Sequence, residues 1–246
     1  MTHETKKSEF FFSSSGETLL EAIIAISIFA IIVGPASATY VSSIQTVATN
    51  RNDLVAAALA DEGVEMVRNM RDTNLLRFSP KAQECWNTLP EHLSLEGSGD
   101  PPNPTGGCDN PDNKIGNETS LLAQQFRLTF DPDALSWKLV APSPADAHLN
   151  DPFGDVADEN APEQYRLRQD ETTGIYFAPE TLPTDVSRLP GRESILYRQI
   201  TIQYLNLSGG APPYKAMKVT SLVQYRSGSR LRTLKRIIIL TNQPST

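Results

Sequence analysis

The sequence predicts an α+β protein: a long N-terminal helix, membrane-spanning in its first half, packed through its second half on an antiparallel β-sheet head. Three observations predict it. Residues Ala22 to Asn50 carry no charged side chain, and their first part, AIIAISIFAIIV, is almost wholly apolar. Beyond them, apolar residues recur at three- and four-residue steps among charged ones, the period of an amphipathic helix. The C-terminal third then alternates polar and apolar residues, the period of a strand with one face buried. The chain thus divides into an N-terminal extension (1–16), a long helix (17–78) and a β-rich head with variable loops (79–246).

At about 1.5 Å of rise per residue, some 20 residues from Leu19 onward cross a hydrocarbon core about 30 Å thick. An ordinary secretory signal is the competing reading, because Ala36-Ser37-Ala38 matches its small-residue cleavage site; such signals, however, have a shorter apolar core. Lys6 and Lys7 precede the span, so the positive-inside bias leaves the head on the outer side. Gly34 and Pro35 interrupt the apolar run, and Pro35 should bend the helix, since it removes one backbone donor. The amphipathic continuation places Val47, Leu54, Ala58, Leu59, Met66, Val67 and Met70 among Asp61, Glu62, Glu65, Arg68 and Arg71. Pro80 is a natural stop, because the residue before a proline is pushed out of the α region. A straight helix from Glu17 to Arg77 would reach roughly 90 Å.

From Ser79 to Ser120 the sequence is rich in Gly, Pro, Asn and Asp and reads as a loop. FRLTF (126–130) and LSWKL (135–139) make one candidate hairpin, and YRLRQ (165–169) with GIYF (174–177) a second. Another Pro/Asp-rich loop runs from Pro142 to Pro162. YRQITIQYL (197–205), AMKVTSLVQYR (216–226) and RLRTLKRIIILT (230–241) then read as an antiparallel meander, with Ile200, Ile202 and Tyr204 falling on one face, as do Met217, Val219, Val223 and Tyr225.

The composition, 39% hydrophobic residues over 246, supports a real core. A net charge of −7 argues against a surface built for phosphate backbones, and so against nucleic acid as a partner. Arg226, Arg230, Arg232, Lys235 and Arg236 form a local basic turn and strand, best read as solvated or as contacting another subunit. Cys85 and Cys108 are too few for a four-thiolate zinc site. In an exported domain they suit a disulfide closing a loop of about 24 residues, with two free thiols as the alternative.

The junction SSSGETLLEAIIAISIFAII resembles the leader of type IV prepilins and of the pseudopilins of type II secretion. In that signal a glycine precedes the cut and a glutamate is the fifth residue of the mature chain; Gly16 and Glu21 hold those positions. ALADEGVEMVRNMRDTN (58–74), and KVTSLVQY followed by a basic turn and IIILTNQ, are similar to later parts of such proteins. The resemblance implies cleavage after Gly16 by a prepilin peptidase, with Glu17 the first mature residue where the family usually has a phenylalanine that becomes methylated. It also implies that Glu21 pairs with the free amine of a neighbouring subunit. Its partners would be other pilin-like subunits, the membrane and the pilus or secretion assembly machinery. The chain would sit in the inner membrane as a single-pass protein, head outward, before entering a cell-surface or periplasmic filament.

Two rival functions follow from the same residues. One is a membrane-anchored adhesion or binding protein that does not polymerise. The other, an exported enzyme, has little support. His3, His92 and His148 stand singly without zinc spacing, and GxSxG, Walker A and GxGxxG are absent, so no catalytic residue, metal or cofactor is predicted. The acidic stretches DNPDNKIGNE (109–118) and NDPFGDVADEN (150–160) gather oxygen ligands suited to Ca²⁺ but lack EF-hand spacing, and read better as solvated loops.

Overall fold

The computed structural model describes residues 17–78, 81–89, 108, 113–131, 136–141, 163–179, 191–207, 209 and 214–242. Gly16, Pro80, the three histidines and the loop 142–162 lie outside the described residues. The chain forms two compact units, Met1–Arg51 and Asn52–Thr246. One helix, α1 (Glu17–Arg77), contributes to both and is continuous through Pro35.

The α+β layout is borne out, with one antiparallel sheet in the second unit. Its strands are β1 (Gln124–Asp131), β2 (Ser136–Val140), β3 (Arg166–Gln169), β4 (Tyr176–Phe177), β5 (Arg192–Leu205), β6 (Ala216–Ser227) and β7 (Arg230–Thr241). Both predicted hairpins form, β1 with β2 and β3 with β4, as does the β5–β6–β7 meander. The strand β5 is the spine of the sheet. One of its edges pairs with β6 from Leu196 to Leu205, while its other edge is shared: Ile200 to Ile202 face β1, and Arg192 to Tyr197 face β3 across a register shift.

The inner face of the sheet carries the predicted alternation. Ile200, Ile202 and Tyr204 of β5 stand beside Met217, Val219, Val223 and Tyr225 of β6, all buried. Against them lies the second half of α1, through Ala56, Leu59, Ala60, Gly63, Val64, Val67 and Met70. Leu59, Val67 and Met70 fulfil the sequence pattern, but Leu54 is 73% exposed and Val47 is 67% exposed. The buried stripe runs instead through small residues, because the helix comes close to the sheet. Gly63 marks that approach: a Cβ there would lie 2.8 Å from Ile200 Cδ1 and 3.1 Å from Ser221 Cβ. Gly63→Val should therefore cost about 1–3 kcal/mol by overpacking, despite valine's better helix propensity, and urea unfolding measures it.

The described parts of residues 79–120 are more regular than a plain loop. The short helix α2 (Ala82–Cys85) leads into a bridge between Thr88 and Lys114. Asn74, near the end of α1, donates its amide to the carbonyls of Trp86 (3.2 Å) and Thr88 (2.8 Å). Cys85 and Cys108 form a disulfide buried beside Phe78. With the cysteines 23 residues apart, opening the bridge by Cys85→Ser should lower stability by about 3 kcal/mol, mainly by freeing the unfolded chain. Denaturant melts of wild type and Cys85→Ser measure the difference, and thiol labelling of denatured, unreduced wild type should find no free cysteine.

The acidic stretch 109–118 also departs from a solvated loop where it is described. Lys114 and Ile115 are buried, and Glu118 is partly buried and bonded to Asn87 at 2.8 Å. The stretch 150–160 lies outside the described residues.

Candidate functional site

Two surfaces bear on function, one in each unit. In the first unit, every residue from 19 to 48 is exposed. Leu19, Ile31 and Phe29 are among large apolar side chains between 67% and 72% exposed. The segment is long and apolar enough to cross a membrane, and it is the chain's one such helix among the described residues.

Five of its hydroxyls are turned to its own backbone. The hydroxyls of Ser27, Ser37, Thr39, Thr46 and Thr49 each donate to the carbonyl four residues back, at 2.7 to 2.9 Å. In hydrocarbon an unsatisfied donor costs several kcal/mol, so this arrangement suits an apolar medium. The Pro35 carbonyl accepts one of these bonds, from Thr39; Pro35 itself has no amide to offer the carbonyl of Ile31. A side chain at Gly34 would meet nothing within 4 Å.

The carboxylates stand at the start of this helix. Glu17 is the first residue of α1, and Glu21, one turn on, is exposed. Between Glu21 and Arg51 no charge intervenes. The carboxylate at 21 is thus the last charge before the apolar stretch, at its margin and near the positive end of the helix dipole.

In the second unit the polar features tie α1 to the sheet. Arg198 on β5 is fully enclosed. It faces Glu62 of α1 at 3.5 Å, donates to the carbonyls of Leu59 and Tyr176 at 3.4 Å, and stacks over Trp137 at 5.6 Å. Burial holds its guanidinium below the ordinary arginine value and raises the Glu62 carboxyl, in both cases against the attraction of the partner charge. Tyr225 donates to Asp53 of α1 at 2.5 Å; burial, with the aspartate beside it, pushes the phenol up to about 12. Arg236 reaches Asp61 of α1 at 2.6 Å, and Arg71 donates to the Thr241 carbonyl at 3.2 Å.

The basic strand read as solvated or intersubunit therefore spends Arg236 on its own stem. The sequence reading missed Arg198 and Gly63, the first because a lone arginine in an alternating strand looks solvent-facing. Its even-numbered position, in phase with Ile200 and Ile202, was the available signal. Among the described residues no group of three or more His, Cys, Asp or Glu is placed to hold a metal ion. No family model, curated protein or solved structure matches this chain.

Proposed function

We propose that this chain is a structural subunit, a minor pilin or pseudopilin, of a type IV pilus-like filament, matured by prepilin peptidase after Gly16. The observation that carries the reading is the exposed apolar half of α1, with Glu21 at its margin, in a helix whose other half is docked on an antiparallel sheet. Such a surface needs one apolar environment before assembly, the bilayer, and a second one afterwards, the bundled helices of other subunits. The leader-like junction at Gly16 supplies the step between them, and the inward-turned hydroxyls suit both. The pilin-like character of the head and its outward orientation belong to the same proposal.

Sequencing the N-terminus of the protein from membranes and from sheared surface material tests it. A mature chain beginning at Glu17 and present in both fractions is expected. A chain retaining Met1, or one cut after Ala38, would overturn prepilin processing. A chain cut at Glu17 yet confined to membranes would favour the non-polymerising anchored binder.

A further inference from the structure

Beside the Cys85–Cys108 disulfide, where the described residues 84–89 and 113–118 meet the sheet, three side chains converge whose chemistry goes beyond packing. Asn87 and Lys114 are almost wholly buried, at 0% and 6% exposure. Lys114 Nζ donates to Asn87 Oδ1 at 3.1 Å and also to the Glu84 carbonyl. Asn87 Nδ2 donates to Glu118 Oε2 at 2.8 Å, and the same carboxylate oxygen lies 4.0 Å from Lys114 Nζ. Asn87 Nδ2 also reaches the Tyr204 hydroxyl at 2.7 Å, whose proton goes to the Ile115 carbonyl at 2.8 Å. Buried Trp86, Ile115 and Tyr204 wall the cluster, with the Trp86 and Tyr204 rings edge to face.

An amine held against a carboxamide, with a carboxylate touching the amide nitrogen and near the amine, has the parts for transamidation. We propose that Lys114 and Asn87 become joined by an intramolecular amide bond, formed by the folded chain itself with Glu118 as the proton carrier. The Glu118 carboxylate takes a proton from the Lys114 ammonium. The freed Nζ lone pair attacks Cγ of Asn87, forming the new C–N bond and shifting an electron pair to Oδ1. Protonated Glu118, already bonded to Nδ2, returns its proton there. The Cγ–Nδ2 bond breaks, ammonia leaves with the second Nζ proton, and the carbonyl re-forms. An ammonium side chain and a carboxamide thus become a secondary amide and an ammonium ion, with charge balanced, Glu118 regenerated and no oxidant or cofactor consumed.

Burial serves the step in two ways. Water that would compete with Nζ is excluded, and the buried surroundings hold the amine and the carboxamide in fixed mutual positions. The bond would cross-link residues 87 and 114 beside the bridge between 85 and 108, a second covalent tie insensitive to reductant. The inference is independent of the filament reading.

Intact mass spectrometry of the full chain, purified in detergent, reduced and denatured, tests it. A mass lower by one ammonia than the sequence is expected, together with a proteolytic peptide pair linked through Asn87 and Lys114. Recovery of both peptides unlinked at full mass would overturn the proposal, as would ammonia loss without the linked pair, which marks cyclisation of Asn87 alone. Glu118→Gln preserves the shape and the hydrogen-bonding capacity but not the base. In its folded form, recognised by the Cys85–Cys108 disulfide, it should retain the full mass. Cross-linking at wild-type yield in Glu118→Gln would overturn the role given to Glu118.

Discussion

Glu62→Ala is expected to destabilise the second unit by about 3–5 kcal/mol, although Glu62 itself is only partly buried. The loss arises at Arg198, whose side chain is 0% exposed and would keep its charge with only two carbonyls at 3.4 Å and the Trp137 ring as partners. Replacing both residues, as Glu62→Leu with Arg198→Met, should recover most of that loss. The carboxyl is raised and the guanidinium lowered because burial, which disfavours the charged form, dominates both. The raised Glu62 carboxyl also sets the sign of its pH dependence. The stability linked to its titration is greatest below the ordinary carboxyl value of 4.5 and declines as the pH rises through the elevated folded value. Denaturant melts of wild type, both single variants and the double variant, followed by tryptophan fluorescence, close the cycle. Additive single losses in the double variant would refute the coupling.

Glu21→Ala should leave cleavage after Gly16 and membrane insertion intact while sharply reducing entry into filaments, if the proposed function holds. Removing a carboxylate from the margin of an apolar helix makes the segment more apolar, so retention in lipid should improve. What disappears is the partner for a neighbouring subunit's α-amine, a pair strengthened by low dielectric, and breaking it from one side costs about 3–5 kcal/mol. Glu17 tempers the effect, since its carboxylate sits on the same residue as that amine and neutralises part of its charge. A severe rather than absolute defect is therefore expected, and Glu21→Gln should behave alike. The ratio of processed subunit in sheared filaments to that in membranes is the measurement. Normal incorporation of Glu21→Ala would rule out the pairing.

Periodicity made the α1 helix and the β5–β7 meander readable, because each buries one face over many residues and repeats its pattern often enough to be seen. The short strands β3 and β4 were placed within a few residues for another reason: Asp170 marks the turn between them, its carboxylate accepting bonds from the Thr172 and Thr173 amides at 3.0 and 2.7 Å. What periodicity could not reveal was which long-range partner each strand takes. That β5 would hold β1 and β3 on one edge depends on pairings between residues far apart in sequence, and local patterns carry no information about them. The helix stripe was misplaced because Leu54 outweighs Ala56 and Gly63 in any hydrophobic count, whereas close approach to a sheet selects for small side chains. The polar cluster of Asn87, Lys114 and Glu118 was hidden for the same reason as the strand partners, its three members coming from separate parts of a stretch that reads locally as turn.

The central place of β5 has a consequence for when the second unit can fold. Beyond their own hairpin partners, β1 and β3 pair only with β5, and β5 and β6 supply much of the apolar core packed with α1, all of it beyond residue 191. As a chain emerges from its N-terminus, the residues before β5 can form a helix and isolated hairpins but lack the strand that joins them. Docking waits on β5 to β7, which follow one another in the chain and pair in sequence order, so their contacts are of low sequence separation and can assemble quickly once present. Loss of even the last strand pair therefore leaves the earlier segments without a nucleus, so truncations from the C-terminus should be degraded rather than accumulate as partial folds.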